Sequence, residues 1–160
     1  MNIDITRLKH GIIEYIDINE SIDVTKFELE NTGILSLKEV RLHGTITKDN
    51  LDNYLLVLKI DGIMVLPCSI TLKPVDYNFS TEISGNIEEM LEEINEINKK
   101  SENSIDIFPI IWENILMEIP IKVTSPDAKT ETLSGDGWKL VTEDEEVKVS
   151  NAFDKLKDLL

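Results

Sequence analysis

Residues 39–47 read Glu-Val-Arg-Leu-His-Gly-Thr-Ile-Thr. Val40, Leu42, Gly44 and Ile46 fall on one side and Glu39, Arg41, His43, Thr45 and Thr47 on the other. That period of two is the pattern of a strand with one buried face. Lys48, Asp49 and Asn50 then supply turn chemistry. In residues 54–66, Tyr54, Leu56, Leu58, Ile60, Met64 and Leu66 share one side, while the other mixes Leu55 and Val57 with Lys59 and Asp61, then Ile63 and Val65. Asp61-Gly62 in its middle predicts a bulge, or a turn that splits the segment. Residues 73–83 alternate again through Val75, Tyr77, Phe79 and Ile83, and residues 12–18 are dense in isoleucine. Strands joined by such short polar connections pair antiparallel.

Beyond residue 85 the period lengthens. Ile87, Met90, Leu91, Ile94 and Ile97 predict a helix over 86–100, with Glu88 and Glu89 in its first turn and Lys99 and Lys100 in its last. Phe108, Ile111, Trp112, Ile115, Leu116 and Ile119 predict a second over 108–119, with Asp106 as cap, Pro109 in the first turn and Pro120 at the exit. Residues 121–123 suit one more short strand, and 125–136 an exposed loop before a Gly-Asp-Gly turn at 135–137. The acidic run Glu143, Asp144, Glu145, Glu146 leads to a last short helix capped by Ser150 or Asn151, with Phe153, Leu156, Leu159 and Leu160 apolar. The expected fold class is therefore α+β. A mainly antiparallel sheet is packed by two or three helices, the 108–119 helix across one face and the 86–100 helix beside it. The pattern leaves open whether the sheet closes into a partial barrel.

The chain has 160 residues, enough to bury a core as a single domain over 1–160 without disulfides or metals. No apolar run approaches the roughly 20 residues of a membrane span, and the opening MNIDITRLKH lacks the apolar centre of a signal peptide. The lone Cys68 leaves no internal disulfide and fits a reducing compartment. A cytoplasmic location is the expectation. Charge bears on partners. Lys and Arg number 16 against 31 Asp and Glu, a net −15, and Arg7 and Arg41 are the only arginines. Nucleic-acid affinity comes largely from Lys and Arg neutralising the backbone, so independent nucleic-acid binding is disfavoured, as is an anionic membrane. A basic protein is the natural partner.

Nothing in the sequence demands an enzyme. His10 precedes Gly11 in a turn and His43 alternates with Arg41 on a polar strand face, and no phosphate-cradling or nucleophile-elbow motif occurs. Glu88, Glu89, Glu92, Glu93 and Glu96 read as a solvated helix face. In LPCSITL, residues 66–72, Thr71 stands in the second slot of a Cys-x-x-Cys spacing. One thiolate and one hydroxyl cannot hold a structural zinc. Cys68 reads as a small buried hydrophobe, and Lys59 and Lys73, the nearest cations in sequence, give no reason to expect a lowered thiol pKa. No metal and no cofactor is expected.

Four strings occur in order: LPCSITLKPVDYNF at 66–79, IDIFPIIWENILMEIPIKV at 105–123, GDGWKLV at 135–141 and NAFDKLKDLL at 151–160. Together they resemble the bacterial YceD family, the large ribosomal RNA subunit accumulation proteins, and most of all its Gram-positive-type branch. The positions that carry the likeness are Pro67, Cys68, Asp106, Pro120, Gly137, Asn151 and Phe153. The chain departs from the family's frequent Cys-x-Arg-Cys, with Ile70 in place of the arginine and Thr71 in place of the second cysteine. That departure removes any family-based argument for a metal site. The resemblance implies a ribosome biogenesis factor supporting accumulation or processing of large-subunit (23S) rRNA, with no known reaction and no cofactor. Joined to the charge argument, it implies a non-enzymatic acidic adaptor that acts through a basic ribosomal protein or a large-subunit precursor particle.

The contact candidates are Trp138 after its turn, Glu113 and Glu118 flanking the helical stripe, and the run Glu143, Asp144, Glu145, Glu146. Trp112, on the apolar stripe, is expected in the core. Two other classes stay open: a metal-dependent RNA-processing enzyme or subunit built on a carboxylate cluster, and a β-rich interaction domain unrelated to ribosomes. Oligomeric state is not set by the sequence.

Overall fold

A computed structural model of the chain describes residues 1–94 and 103–126, and the backbone of 134–135 and 138–139. The chain divides into two compact units, Met1–Ser125 and Pro126–Leu160. In the first unit β1 (Asn2–Asp4) leads into a single turn, α1 (Thr6–Lys9), then β2 (Tyr15–Ser21), β3 (Ser36–Lys48), β4 (Tyr54–Pro67) and β5 (Pro74–Asn86). Next come α2 (Ile87–Glu93), β6 (Ser104–Asp106) and α3 (Phe108–Met117). The second unit contributes β7 (Ser134–Gly135) and β8 (Trp138–Lys139), antiparallel with Gly135 opposite Trp138.

The four long strands form one antiparallel sheet in the order β2-β3-β4-β5, and β1 pairs separately with β6. The α+β expectation holds. β2 and β5 are both edges, so the sheet is open and no barrel forms. Its inner face carries the alternating residues named above, with Val40, Leu42, Ile46, Leu56, Leu58, Ile60 and Met64 fully shielded from water. The helices complete that same cluster through Leu8, Ile87, Leu91, Ile110, Ile111 and Ile115.

Several details depart from the sequence reading. β4 runs unbroken for 14 residues through Asp61-Gly62, and the bulge lies instead in β3, between Leu37 and Glu39. Gly62 serves close approach. A Cβ there would lie 2.5 Å from the Glu39 carbonyl oxygen and 2.6 Å from the Phe79 ring, so the missing side chain lets Phe79 lie across the sheet. The first long strand starts at Tyr15, because α1 and a turn at Gly11, with φ of 67°, occupy the residues before it.

Residues 121–123 form no strand. Val123 is tied to the sheet end by two isolated bonds with Ser69, its N–H to Ser69 Oγ at 3.2 Å and its carbonyl to the Ser69 N–H at 2.8 Å. Asn86 caps α2, its side-chain oxygen accepting from the Glu88 N–H at 3.0 Å. The helix assigned there ends at Glu93, and the expected continuation over 95–100 lies outside the described residues.

α3 closes at Met117, two residues short of expectation, because the Glu118 and Ile119 N–H groups turn back to the carbonyls three residues earlier, at Ile115 and Leu116. Its buried stripe is centred on Ile110, Ile111 and Ile115. Phe108, Trp112 and Leu116 sit half-buried beside it. Trp112 is thus a flank residue rather than a core one, and Phe27 fills the space against it. The Phe27 ring centroid lies 5.1 Å from those of both Phe108 and Trp112.

Candidate functional site

The family-like string at residue 66 folds as the β4–β5 connection. Pro67, the last residue of β4, pairs with Pro74, and the intervening loop is closed by the Cys68 N–H to the Lys73 carbonyl at 2.8 Å and the Leu72 N–H to the Cys68 carbonyl at 2.9 Å. Leu72 takes the left-handed conformation, φ 58°, to complete the reversal. Cys68 is fully buried, as expected, yet it stands outside the main hydrophobic cluster. Its sulfur faces hydrogen-bond donors instead.

The Thr71 hydroxyl donates to the sulfur first of all, followed by the N–H groups of Ser125, Thr71 and Ile70, and together they lower the thiol pKa from 9.0 to about 6. Neither Lys59 nor Lys73 contributes to the shift. Four dipoles do the work, and Thr71, in the second-cysteine slot, supplies the largest part.

A definite expectation follows. Thiolate absorbance of the folded protein should titrate near pH 6, while thiol reagents label Cys68 only as fast as the site opens, since no solvent reaches it. Because the folded pKa lies below the unfolded one, the linked stability is fully present above about pH 9 and is lost as pH falls through about 6. Subtracting the pH–stability curve of Cys68→Ala from that of the wild type isolates this slope. Rapid labelling of the native protein, or a flat difference curve, would refute the arrangement.

Asp106 ends β6 and does two jobs. Its Oδ1 accepts from the Phe108 N–H at 3.0 Å, near the start of α3, and pairs with the Met1 ammonium at 2.5 Å. The formal cap position belongs to Ile107, so Asp106 serves the first turn from one residue further back. Pro120 follows α3, half-buried. Glu113 is exposed on α3 and Glu118 lies half-exposed at its end; neither meets a cation among the described residues. The backbone of Trp138 lies in β8. Gly137, Glu143, Asp144, Glu145, Glu146, Asn151 and Phe153, with the predicted last helix, lie outside the described residues. Among the described residues, no three His, Cys, Asp or Glu side chains converge on one point, and His10 and His43 are both exposed. No helix among these residues is long and apolar enough to cross a membrane.

The outward face of the sheet is the largest polar surface that the register defines. Row by row it presents Tyr15, Thr47, Leu55 and Asn86; then Asp17, Thr45, Val57 and Ser84; then Asn19, His43, Lys59 and Glu82; then Ser21, Arg41, Asp61 and Ser80. Its cations are engaged by neighbouring acids. Arg41 grips Glu39 through Nε at 3.0 Å and Nη2 at 3.2 Å, Lys59 stands 3.6 Å from Asp61, and Lys38 reaches across β4 to Asp76 at 2.5 Å. The Asp61 carboxyl is held below its usual range by the Ser80 hydroxyl and then by Lys59. Pairs this exposed add little to stability; their effect is to neutralise the face. Beside Arg41 and Asp61 a shallow hollow of about 330 Å³ is lined also by Glu39, Asn78 and Phe79.

An open antiparallel sheet backed by helices, with a proline–cysteine hairpin at one end and an Asp-led helix closing the core, frames the comparison with known proteins. The family model described as "Large ribosomal RNA subunit accumulation protein YceD" matches residues 56–160, and the chain belongs to that family. A curated relative, "Uncharacterized protein YlbN" of Bacillus subtilis (strain 168), is 27% identical over 137 residues, covering 81% of this chain and 78% of the relative. That likeness agrees with the Gram-positive-type branch. No solved structure matches.

Proposed function

We propose that this protein is a ribosome biogenesis factor that supports accumulation of large-subunit rRNA. In this reading it acts as a non-enzymatic acidic adaptor through a basic ribosomal protein or a precursor particle. The first half rests on membership of a family named for that accumulation. The observation that carries the second half is the sheet face, where Lys38, Arg41 and Lys59 are each already paired with a carboxylate. A nucleic-acid backbone would have to break those pairs to find its cations. The carboxylates of Glu113 and Glu118, which meet no cation among the described residues, suit a cationic polypeptide, and Trp138 and the run Glu143, Asp144, Glu145 and Glu146 are proposed as separate contacts.

Deleting the gene should lower mature large-subunit rRNA relative to small-subunit rRNA. Purified chain should leave protein-free large-subunit rRNA unbound at physiological salt. An unchanged ratio would remove the biogenesis role. Tight, sequence-selective retention of the naked transcript would remove the protein-partner role.

A further inference from the structure

The outward sheet face holds an apolar strip that a solvated face does not need. Along β3 the outward positions are all polar, Glu39, Arg41, His43, Thr45 and Thr47. On β4, at the end nearest the β3–β4 turn, they are Leu55 and Val57, 37% and 58% exposed. Tyr15, 58% exposed, stands in the same row as Leu55 with Thr47 between them, and Asp17 shares a row with Val57. Thr45 and Thr47 thus join three large apolar side chains into one patch across β2, β3 and β4. The inner face of the same strands is already saturated with core residues, so the patch has no structural use within the sheet.

Charge selects what the patch would take. Asp17 beside Tyr15 and Glu82 on β5 are exposed carboxylates with no cation partner among the described residues, and they bracket the strip from opposite edge strands. The cations on this face are bound to Glu39, Asp61 and Asp76. Among the described residues, a phosphate chain finds no unpaired lysine or arginine on this face. A lysine- and arginine-rich polypeptide does find partners. Its charged heads reach Asp17 and Glu82, its methylene stems cover Leu55 and Val57, and a guanidinium can lie over the Tyr15 ring.

We infer that the Tyr15–Leu55–Val57 strip, flanked by Asp17 and Glu82, is the docking surface for a basic polypeptide segment. This inference rests on the adaptor reading above and gives it a location.

The test uses immobilised full-length chain and the RNA-free protein mixture extracted from purified large ribosomal subunits. Wild type should retain basic proteins from that mixture. Val57→Lys and Asp17→Lys should each retain about tenfold less, the usual loss for an interface anchor. Glu93→Lys, at an exposed position of α2, should behave as wild type. Asp17 is exposed on an edge strand, so Asp17→Lys decides the matter if Val57→Lys proves unstable on thermal melting. Retention by wild type that both variants match would overturn the docking surface and leave the adaptor reading intact. Failure of the wild type to retain any protein from the mixture would overturn both.

Discussion

Gly44→Ala should destabilise the protein by about 3 kcal/mol or more, as a fall in the urea midpoint with unchanged slope. Gly44 lies opposite Leu58 at the heart of the sheet. An alanine Cβ there would sit 2.2 Å from the Val57 carbonyl oxygen and 2.7 Å from the Leu58 Cα. Both obstacles are backbone, so no side chain can swing away. Relief requires β3 and β4 to move apart, which breaks ladder hydrogen bonds on either side and loosens Leu42, Ile46, Leu56 and Leu58 together. The neighbouring Thr45→Ala, on the outward face, is the control and should cost little. A Gly44→Ala midpoint equal to that of the wild type would mean that the two strands do not approach as described.

Phe27→Ala is the second large effect, expected at about 3–5 kcal/mol. Phe27 is buried, and its ring stacks on Phe108 at 30° and tilts against Trp112 at 41°. It is held in place by a 3-10 turn at Val24–Lys26, which the Asp23 carboxylate caps through the Thr25 N–H at 3.0 Å and the Thr25 hydroxyl at 2.7 Å. Removing the ring leaves a cavity facing α3 and strips cover from Trp112. The loss should therefore appear both in thermal unfolding and as a red shift of tryptophan fluorescence. Phe27→Leu, which keeps much of the hydrocarbon, should lose clearly less. Fluorescence and stability both unchanged in Phe27→Ala would show that the loop does not pack on α3.

The long strands were legible because apolar residues recur at every second position over most of β3, β4 and β5, despite the breaks at Leu37–Glu39 and at Asp61-Gly62. The pairing was legible because the β3–β4 and β4–β5 connections are too short for anything but antiparallel return. What the pattern misassigned shares one cause. Asp61-Gly62 looks like a turn in one dimension, but the space Gly62 frees is used by Phe79, its partner across the β4–β5 ladder and visible only across strands. Residues 121–123 have strand composition and no strand neighbour, only Ser69.

The family-like residues were found as letters, but their chemistry was not. The hydroxyl of Thr71 acts on Cys68 through a hairpin whose closure depends on the left-handed Leu72. For the outward strip the signal was present, since Leu55 and Val57 break the polar alternation. Tyr15 joins them only once β2 is placed in register beside β3.

One pairing stands apart from the meander. β2 through β5 each join a strand adjacent in the chain, so that sheet assembles by successive short closures. β1 must find β6, with Asn2 opposite Asp106 and about a hundred residues between them. On a translating ribosome the meander emerges and zips long before that mate is made, and the first strand stays unpaired until β6 is synthesised. β1 is therefore joined to β6 only after the meander has closed, and that late clasp, in which Asp106 also secures the opening turn of α3, separates a collapsed nascent sheet from a finished core.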